Sequence, residues 1–447
     1  MKYAAYDAYK PSPLEWIDRM PQHWDAAALR WLSNRYAGGT PDKGNDAYWE
    51  EGTIPWLNSG AVNDGYITEP SEYITPDGFA NSSAKWIPKG ALVMALAGQG
   101  KTKGMVAQLG IATTCNQSMA AIIPTRRIDS RYLYWWLTAN YQNIRNLAGG
   151  EARDGLNLDL LGSIPCPLPL LEEQQTIAHF LDVKAAQINA LVAQKRQLIE
   201  KLKERQQALI IRGVTRGMPS EVANAVGLEP SRKMKESGVT WLDQVPENWD
   251  VLPLRRLVAF VKTGSTPSGV EDHHFEDDGF NWYSPSDFSQ DIYLGKSNRA
   301  LSAEGKADVR TFPKMTVMLI GIGATIGKAA VASLESSCNQ QVTAIGCNHR
   351  LHPIFATYYL RILRDFIVRC GKFTTLPILN QDETKNLIVA LPPLAEQFAI
   401  AAYLDRETKE IDRMVRRIED VILGVSEYLQ ALITSAVTGK IDVRESA

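Results

Sequence analysis

The sequence predicts an α+β protein built twice. Two α+β globules, related by a pseudo-twofold, are expected to be separated by two long antiparallel α-helices that form a coiled coil. Three observations predict this. Segments of the first half recur in order in the second, at an offset close to 225 residues. Each half opens with short apolar runs set between turn formers. Each half closes with a heptad stretch long enough for a helix of about 40 residues.

The repeat comes first because it decides the organisation. Ser12–Ser33 aligns with Ser237–Val258, and nine of the 22 positions are identical, including Trp16/Trp241, Pro21/Pro246, Trp24/Trp249 and Arg30/Arg255. The echo continues through Thr40-Pro41/Thr266-Pro267, Pro88-Lys89/Pro313-Lys314 and Cys115-Asn116-Gln117/Cys338-Asn339-Gln340. It ends with Leu156-Asn157/Leu379-Asn380, Glu173-Gln174/Glu396-Gln397 and Leu181-Asp182/Leu404-Asp405. A period this long is a domain plus an appendage, not a solenoid unit of about 20–50 residues. The four expected parts are residues 1–170, 171–217, 218–394 and 395–447.

In the globular parts, Ala91–Ala97 and Thr316–Ile322 read as strands, and Tyr132–Leu147 and Ile354–Arg369 as helices. Clusters such as Gly38-Gly39-Thr40-Pro41, Asn63-Asp64-Gly65 and Thr263-Gly264-Ser265-Thr266-Pro267 read as turns. From Glu172 to about Arg212 there is neither proline nor glycine. Ile177, Leu181, Ile188, Leu191, Leu198, Leu202 and Leu209 mark a seam there, with Lys184, Lys195 and Arg205 in the intervening slots. Ile400, Leu404, Ile411, Met414, Ile418, Val421, Val425, Tyr428 and Leu432 mark its twin, which contains one glycine, Gly424. Asp182–Arg216 carries eight Lys/Arg against three acids, net +5, while Glu396–Ala436 carries five against eight, net −3. Opposite charge favours pairing of the two unlike helices.

Composition narrows the class. Hydrophobic residues make up 45% and charged residues 22%, ordinary for a folded soluble protein. No run of 18 apolar residues occurs and the first residues lack an apolar signal core, so neither membrane association nor secretion is expected, and a cytoplasmic location is. Five cysteines without a C-x-x-C pair argue against a disulfide framework or a thiolate zinc site. The six histidines form no metal motif, and His273-His274 reads as an exposed loop pair. Net charge is −2, so any nucleic-acid binding rests on local charge.

At the helix openings, Pro169-Leu170-Leu171-Glu172-Glu173-Gln174-Gln175-Thr176-Ile177 and Pro392-Pro393-Leu394-Ala395-Glu396-Gln397-Phe398-Ala399-Ile400 resemble the P-L-x-E-Q-x-x-I motif of type I restriction–modification specificity subunits. Gly323-Ala324-Thr325-Ile326-Gly327-Lys328 resembles the G-A-T-I-G-K turn of their target recognition domains. Trp241, Pro246 and Trp249, with Trp16, Pro21 and Trp24, resemble their domain-opening motif. The first half departs at Gly98–Gly104, where the turn differs. The resemblance implies a non-catalytic subunit in which each recognition domain reads half of a split double-stranded DNA target and the helices fix the gap. It implies two partner methyltransferase subunits that use S-adenosylmethionine, and restriction subunits that use ATP and magnesium. No cofactor is expected in this subunit.

Residue chemistry suggests the readers. Arg and Lys suit guanine, Asn and Gln suit adenine, and Ser and Thr are less selective; loops carry such residues most readily. The candidates are Thr40, Lys43, Asn58, Lys101, Lys103 and Arg153 in the first globule, and Thr266, Ser286, Lys328 and Lys372 in the second. The recurring Asn116-Gln117 and Asn339-Gln340 suit a structural turn better than variable readout, and the paired tryptophans suit core anchors. Catalytic readings are weaker. Ala95–Thr102 satisfies a relaxed P-loop, but its twin is an ordinary turn. Asp382 with Glu407 and Lys409 has nuclease-like spacing, but the last two fall within a predicted helix. The competing non-enzymatic reading is a two-headed protein scaffold with a rigid helical spacer.

Overall fold

The structure, a computed structural model, describes residues 3–98, 101–147, 155–229, 233–268, 272–364 and 378–445. It divides into two compact units: Met1–Lys195 with Glu419–Ala447, and Arg196–Ile418.

The first unit is built on a five-stranded sheet in the order Ser33–Ala37, Met119–Pro124, Leu92–Ala95, Val106–Leu109, Tyr66–Ile67. All neighbours are antiparallel except the last pair. Leu92–Ala95 lies at the centre and is wholly buried, which is why it reads as an unbroken apolar run. Its side chains alternate between two cores, as the strand period of two requires. Leu92 and Met94 join the large core with Trp136, Ile177 and Leu181. Val93 and Ala95 face a smaller core with Leu57, Ile87 and Cys115. A three-stranded sheet, Thr114–Cys115, Ile54–Leu57, Glu72–Ile74, adjoins that smaller core.

The second unit repeats the plan. Its five strands run Val258–Thr263, Val342–Cys347, Val317–Ile320, Ala329–Ala332, Tyr293–Leu294, again with only the last pair parallel. Val317 and Leu319 enter one core, Met318 and Ile320 the other.

One expected helix is broken. Ser130–Ala139 and Tyr141–Asn146 are separate helices. At Asn140 the backbone leaves the helical region, at φ −102° and ψ 19°, and its side-chain Nδ2 joins its own N–H on the Trp136 carbonyl, at 2.9 and 3.2 Å. In the second unit the helix is Pro353–Ile362, and the C-terminal part of the expected span lies outside the described residues.

The long helices are Leu171–Arg216, 46 residues, and Leu394–Val437, 44 residues. The heptad repeat is present, but five of its sixteen expected apolar positions shift by one. Leu191 and Leu198 are exposed, while Val192 is half-buried and Ile199 buried. Met414, Val421 and Tyr428 are likewise exposed, and Val415, Ile422 and Leu429 turn inward. Leucine-rich sequence offered two adjacent candidates at each such slot, and apolarity alone chose the wrong one. Within the second unit the helices run antiparallel: Gly213 faces Leu404, while Gln206 Nε2 donates to Asp412 Oδ1 at 2.9 Å. The second long helix has an 18-residue window apolar enough to suggest a membrane span by composition alone. In the folded protein Leu432, Ile433, Ala436 and Val437 near its end are part of the first unit's core.

The helix-opening Glu-Gln pairs explain how each globule is fastened. Glu173, 6% exposed, accepts from Tyr6 Oη at 2.7 Å and Trp24 Nε1 at 3.1 Å, and lies 2.9 Å from His23 Nε2. Gln174 donates to the Pro169 carbonyl at 2.9 Å and accepts from the Asp129 N–H at 2.7 Å. In the second unit Glu396 accepts from Trp249 Nε1 at 3.1 Å, and Gln397 bonds the Pro392 carbonyl and the His352 N–H at 2.9 and 2.8 Å. The recurring Leu-Asn pairs are helix starts: Asn157 caps Leu158–Ser163 and Asn380 caps Gln381–Asn386.

Two predictions arise from these locks. Glu173→Ala strands buried donors on Tyr6 and Trp24 and is expected to cost about 2–4 kcal/mol in urea unfolding; Glu173→Gln, which keeps an acceptor, should cost less. Burial holds Glu396 above the ordinary glutamate range, with the Trp249 and Asn248 hydrogen bonds opposing it. The folded state therefore keeps this proton to higher pH than the unfolded state does. Stability from this residue should fall as pH rises from about 4.3 through the raised folded value, then level off. Glu396→Gln should remove that descent, as measured by unfolding across pH.

Candidate nucleic-acid interface

The same turn is built in both units. After Ser33–Ala37 the chain enters Gly38-Gly39-Thr40, and a Cβ on Gly38 would stand 2.1 Å from the Cys115 carbonyl oxygen. Gly264 after Val258–Thr263 meets Cys338 O at 2.0 Å. Glycine is needed at these two positions for close approach of backbone to backbone. Thr40 Oγ1 bonds Gln117 Oε1, and Thr266 Oγ1 bonds Gln340 Oε1 at 2.6 Å. Trp56 Nε1 donates to the Gly39 carbonyl and Trp282 Nε1 to the Ser265 carbonyl, both at 2.9 Å. Asn116 and Asn339 accept from the N–H two residues on, at 3.1 and 3.0 Å. The Asn-Gln pairs thus hold a turn in both copies. Trp56 and Trp282 were missed in the sequence, although they recur at an offset of 226.

The other candidates are scattered over surface and core. Lys43 is exposed, its Nζ lying 5.4 and 5.6 Å from the ring centres of Trp49 and Trp56. Asn58 caps the short helix Ser59–Asp64 through the Gly60 N–H at 2.9 Å. Ser286 is exposed and 2.8 Å from Ser284 Oγ. Lys101 is exposed; its carbonyl accepts from Tyr141 Oη at 2.6 Å, and Arg145 donates to the same hydroxyl at 2.8 Å. That brings a second cation, not singled out in the sequence, to the Lys101 turn. Lys103 is buried, 4% exposed, and not a solvated loop residue. Lys328 is half-buried and its Nζ reaches the Phe288 carbonyl at 3.5 Å. Arg153 and Lys372 lie outside the described residues.

Two catalytic motifs weighed in the sequence do not find the setting their chemistry needs. Leu92–Ala95, leading into the P-loop-like segment, pairs antiparallel with Val106–Leu109. The turn joins two strands, whereas a P-loop joins a strand to the helix whose N-terminus holds phosphate. Glu407 and Lys409 lie within the second long helix, and Lys409 pairs with Asp405 at 2.8 Å. Burial lifts the thiols of Cys115 and Cys338 to about 12, which keeps them protonated. One reading needs correction: His274 is buried, 8% exposed, because the helix Ala303–Ala307 packs on it.

The duplicated sheets and clasped helix openings define a two-domain, helix-linked architecture of a recognisable class. The chain belongs to the type I restriction modification DNA specificity domain family, whose model matches residues 22–201 and 246–422, one match per repeat. It is 30% identical over 150 residues to an Escherichia coli type I restriction enzyme specificity subunit, an alignment spanning 33% of this chain and 37% of that relative. It is 22% identical over 332 residues to the EcoDI specificity subunit of Escherichia coli, spanning 70% of each. With the MjaIX specificity subunit of Methanocaldococcus jannaschii it shares 21% over 444 residues, 96% of each. A solved chain of a type I R-M system matches 94% of this chain and 99% of its own length, with TM-score 0.73 at 18% identity. The HsdS subunit of Thermoanaerobacter tengcongensis covers 94% and 98%, with TM-score 0.52 at 16%.

The glycine turns supply a test. Gly264→Ala or Gly38→Ala is expected to cost about 1–3 kcal/mol by overpacking. Gly44→Ala, where the nearest atom is a side-chain oxygen at 3.4 Å, should leave the thermal unfolding midpoint almost unchanged.

Proposed function

We propose that this chain is the DNA-reading, non-catalytic subunit of a type I restriction–modification complex. Each globule reads one half of an asymmetric bipartite duplex site, and the paired helices set the length of the spacer. The bound subunit directs two adenine methyltransferase subunits, and the restriction subunits that join them, to that site. S-adenosylmethionine, ATP and magnesium belong to those partners, and the complex works where the cell keeps its DNA, in the cytoplasm.

The carrying observation is duplication with local divergence. The two units share strand order, the Thr–Gln turn and the tryptophan clamp, yet differ where side chains face outward. Lys101 with Tyr141 and Arg145 marks one unit. Gly323–Lys328 stands at the corresponding hairpin of the other, with Arg364 against Gly327. Unlike readers on a common scaffold suit unlike half-sites, which a homodimer could not read. Helices of 46 and 44 residues, at about 1.5 Å per residue, are each roughly 65–70 Å long. That exceeds one turn of DNA, roughly 34 Å, after which equivalent groove faces recur.

Mapping N6-methyladenine in a genome methylated by the assembled complex should yield one gapped, non-palindromic sequence. Sequence-blind binding in gel shifts with the methyltransferase subunits present would reject the reading. Lys101→Ala is expected to weaken binding on every sequence alike and to reduce the salt slope by about 1.

A further inference from the structure

We propose that His273, His274 and Glu304 form a divalent transition-metal site in the second globule, with zinc as its fitting occupant. One ligand atom from each residue lies within 4.8 Å of the others. His273 Nε2 is 3.7 Å from Glu304 Oε1, and the imidazole centroids are 4.1 Å apart. A tetrahedral zinc with bonds of about 2.0–2.1 Å places its ligands roughly 3.4 Å apart. The ligand atoms therefore stand at most about 1.4 Å farther apart than a bound zinc requires. Two imidazoles and a carboxylate suit zinc better than magnesium or calcium, which take oxygen ligands. A fourth position is left for water.

The backbone beneath these side chains is fixed. Ser302 donates its N–H to the His274 carbonyl at 3.0 Å and its hydroxyl to the His273 carbonyl at 2.8 Å. Ser302 also caps the helix Ala303–Ala307 that carries Glu304. A Cβ on Gly305 would stand 2.3 Å from the His274 oxygen, so the helix lies directly on the histidine pair. Asp308, beyond that helix, accepts from the Ser268 N–H. A metal here would tie the histidine pair to this helix.

The first unit shows that the scaffold does not require these histidines. There Thr75 donates its N–H to the Tyr48 carbonyl at 2.9 Å and its hydroxyl to the Ala47 carbonyl at 2.9 Å. Gly78 packs against the Tyr48 oxygen. Ala47, Tyr48 and Asp77 occupy the positions of His273, His274 and Glu304. The same bonds form without a single imidazole, so the His-His-Glu set is an addition made in one copy only.

The test uses full-length, tag-free protein stripped with chelator and titrated with zinc chloride by calorimetry, with elemental analysis of untreated protein. One equivalent of zinc is expected, and cobalt(II) should give the visible absorption of a low-coordinate nitrogen–oxygen site. His273→Ala and Glu304→Gln should each weaken zinc binding at least about tenfold. His274→Tyr, the residue of the first copy, should do the same with an unchanged circular dichroism spectrum. Should that variant misfold, the exposed His273 decides the matter. Absence of stoichiometric zinc, or stoichiometric zinc unchanged by His273→Ala, overturns the proposal. Neither result bears on DNA reading, which is scored separately by gel shift.

Discussion

The structure depends on a clasp around one tryptophan in each unit. Trp24 and Trp249 are fully buried, and each spends its single N–H on the glutamate that opens a long helix. A glycine just past the end of a long helix closes the other side. Gly439, at φ 71°, leaves a Cβ position only 2.4 Å from the Pro21 ring. Gly217, at φ 79°, lies against Trp249 and Glu396. The Pro-x-x-Trp opening of a globule is thus held by the start of the helix that follows it and by the end of the helix from the other repeat. A buried carboxylate with matched donors is costly to disturb from either side, so each globule is fastened firmly to the helix ends it holds.

That clasp also explains why the compact units do not coincide with the repeats. Each unit takes the first part of one helix and the last part of the other. The long helices owe their order at the ends to globular cores: Ile177, Phe180 and Leu181 with Leu432, Ile433 and Val437 in one unit, Val214 with Ile400 and Leu404 in the other. Between these anchorages the exposed Leu191, Leu198, Val421 and Leu423 show how narrow the buried seam becomes. A narrow seam is set by a few residues, and for that reason its register was the least legible feature. The sequence could show that a heptad existed. It could not show whether Leu198 or Ile199 filled the slot, because both are apolar and the choice belongs to the partner helix.

Legibility elsewhere followed the same physical division. Strands buried on both faces, such as Leu92–Ala95 and Val317–Ile320, were readable because burial demands continuous apolarity. The helix break at Asn140 was not, since it rests on the backbone angles of a single residue, φ −102° and ψ 19°. Thr40 and Thr266 were singled out for their hydroxyls, and those hydroxyls are engaged by Gln117 and Gln340. Lys103 looked like a loop cation but is buried. In each case the sequence showed the donor and concealed what the fold had already offered it.

Duplication within one chain supplies the control that a single domain lacks. A residue pair that recurs with the same bond in both copies, such as Asn116/Asn339 or Glu173/Glu396, is explained by the scaffold, because two differently evolved surfaces both retain it. A residue that differs while the surrounding bonds persist is released from that explanation. The Thr75 and Ser302 caps make the same contacts around unlike neighbours, and the two β-hairpin turns keep Gly104 and Gly327 at φ 84° and 82° while their lysines sit at unmatched places. The backbone is therefore the shared part and the outward chemistry the variable part. This is the condition under which one chain can vary two outward surfaces independently without altering the joints that hold each globule to the helices.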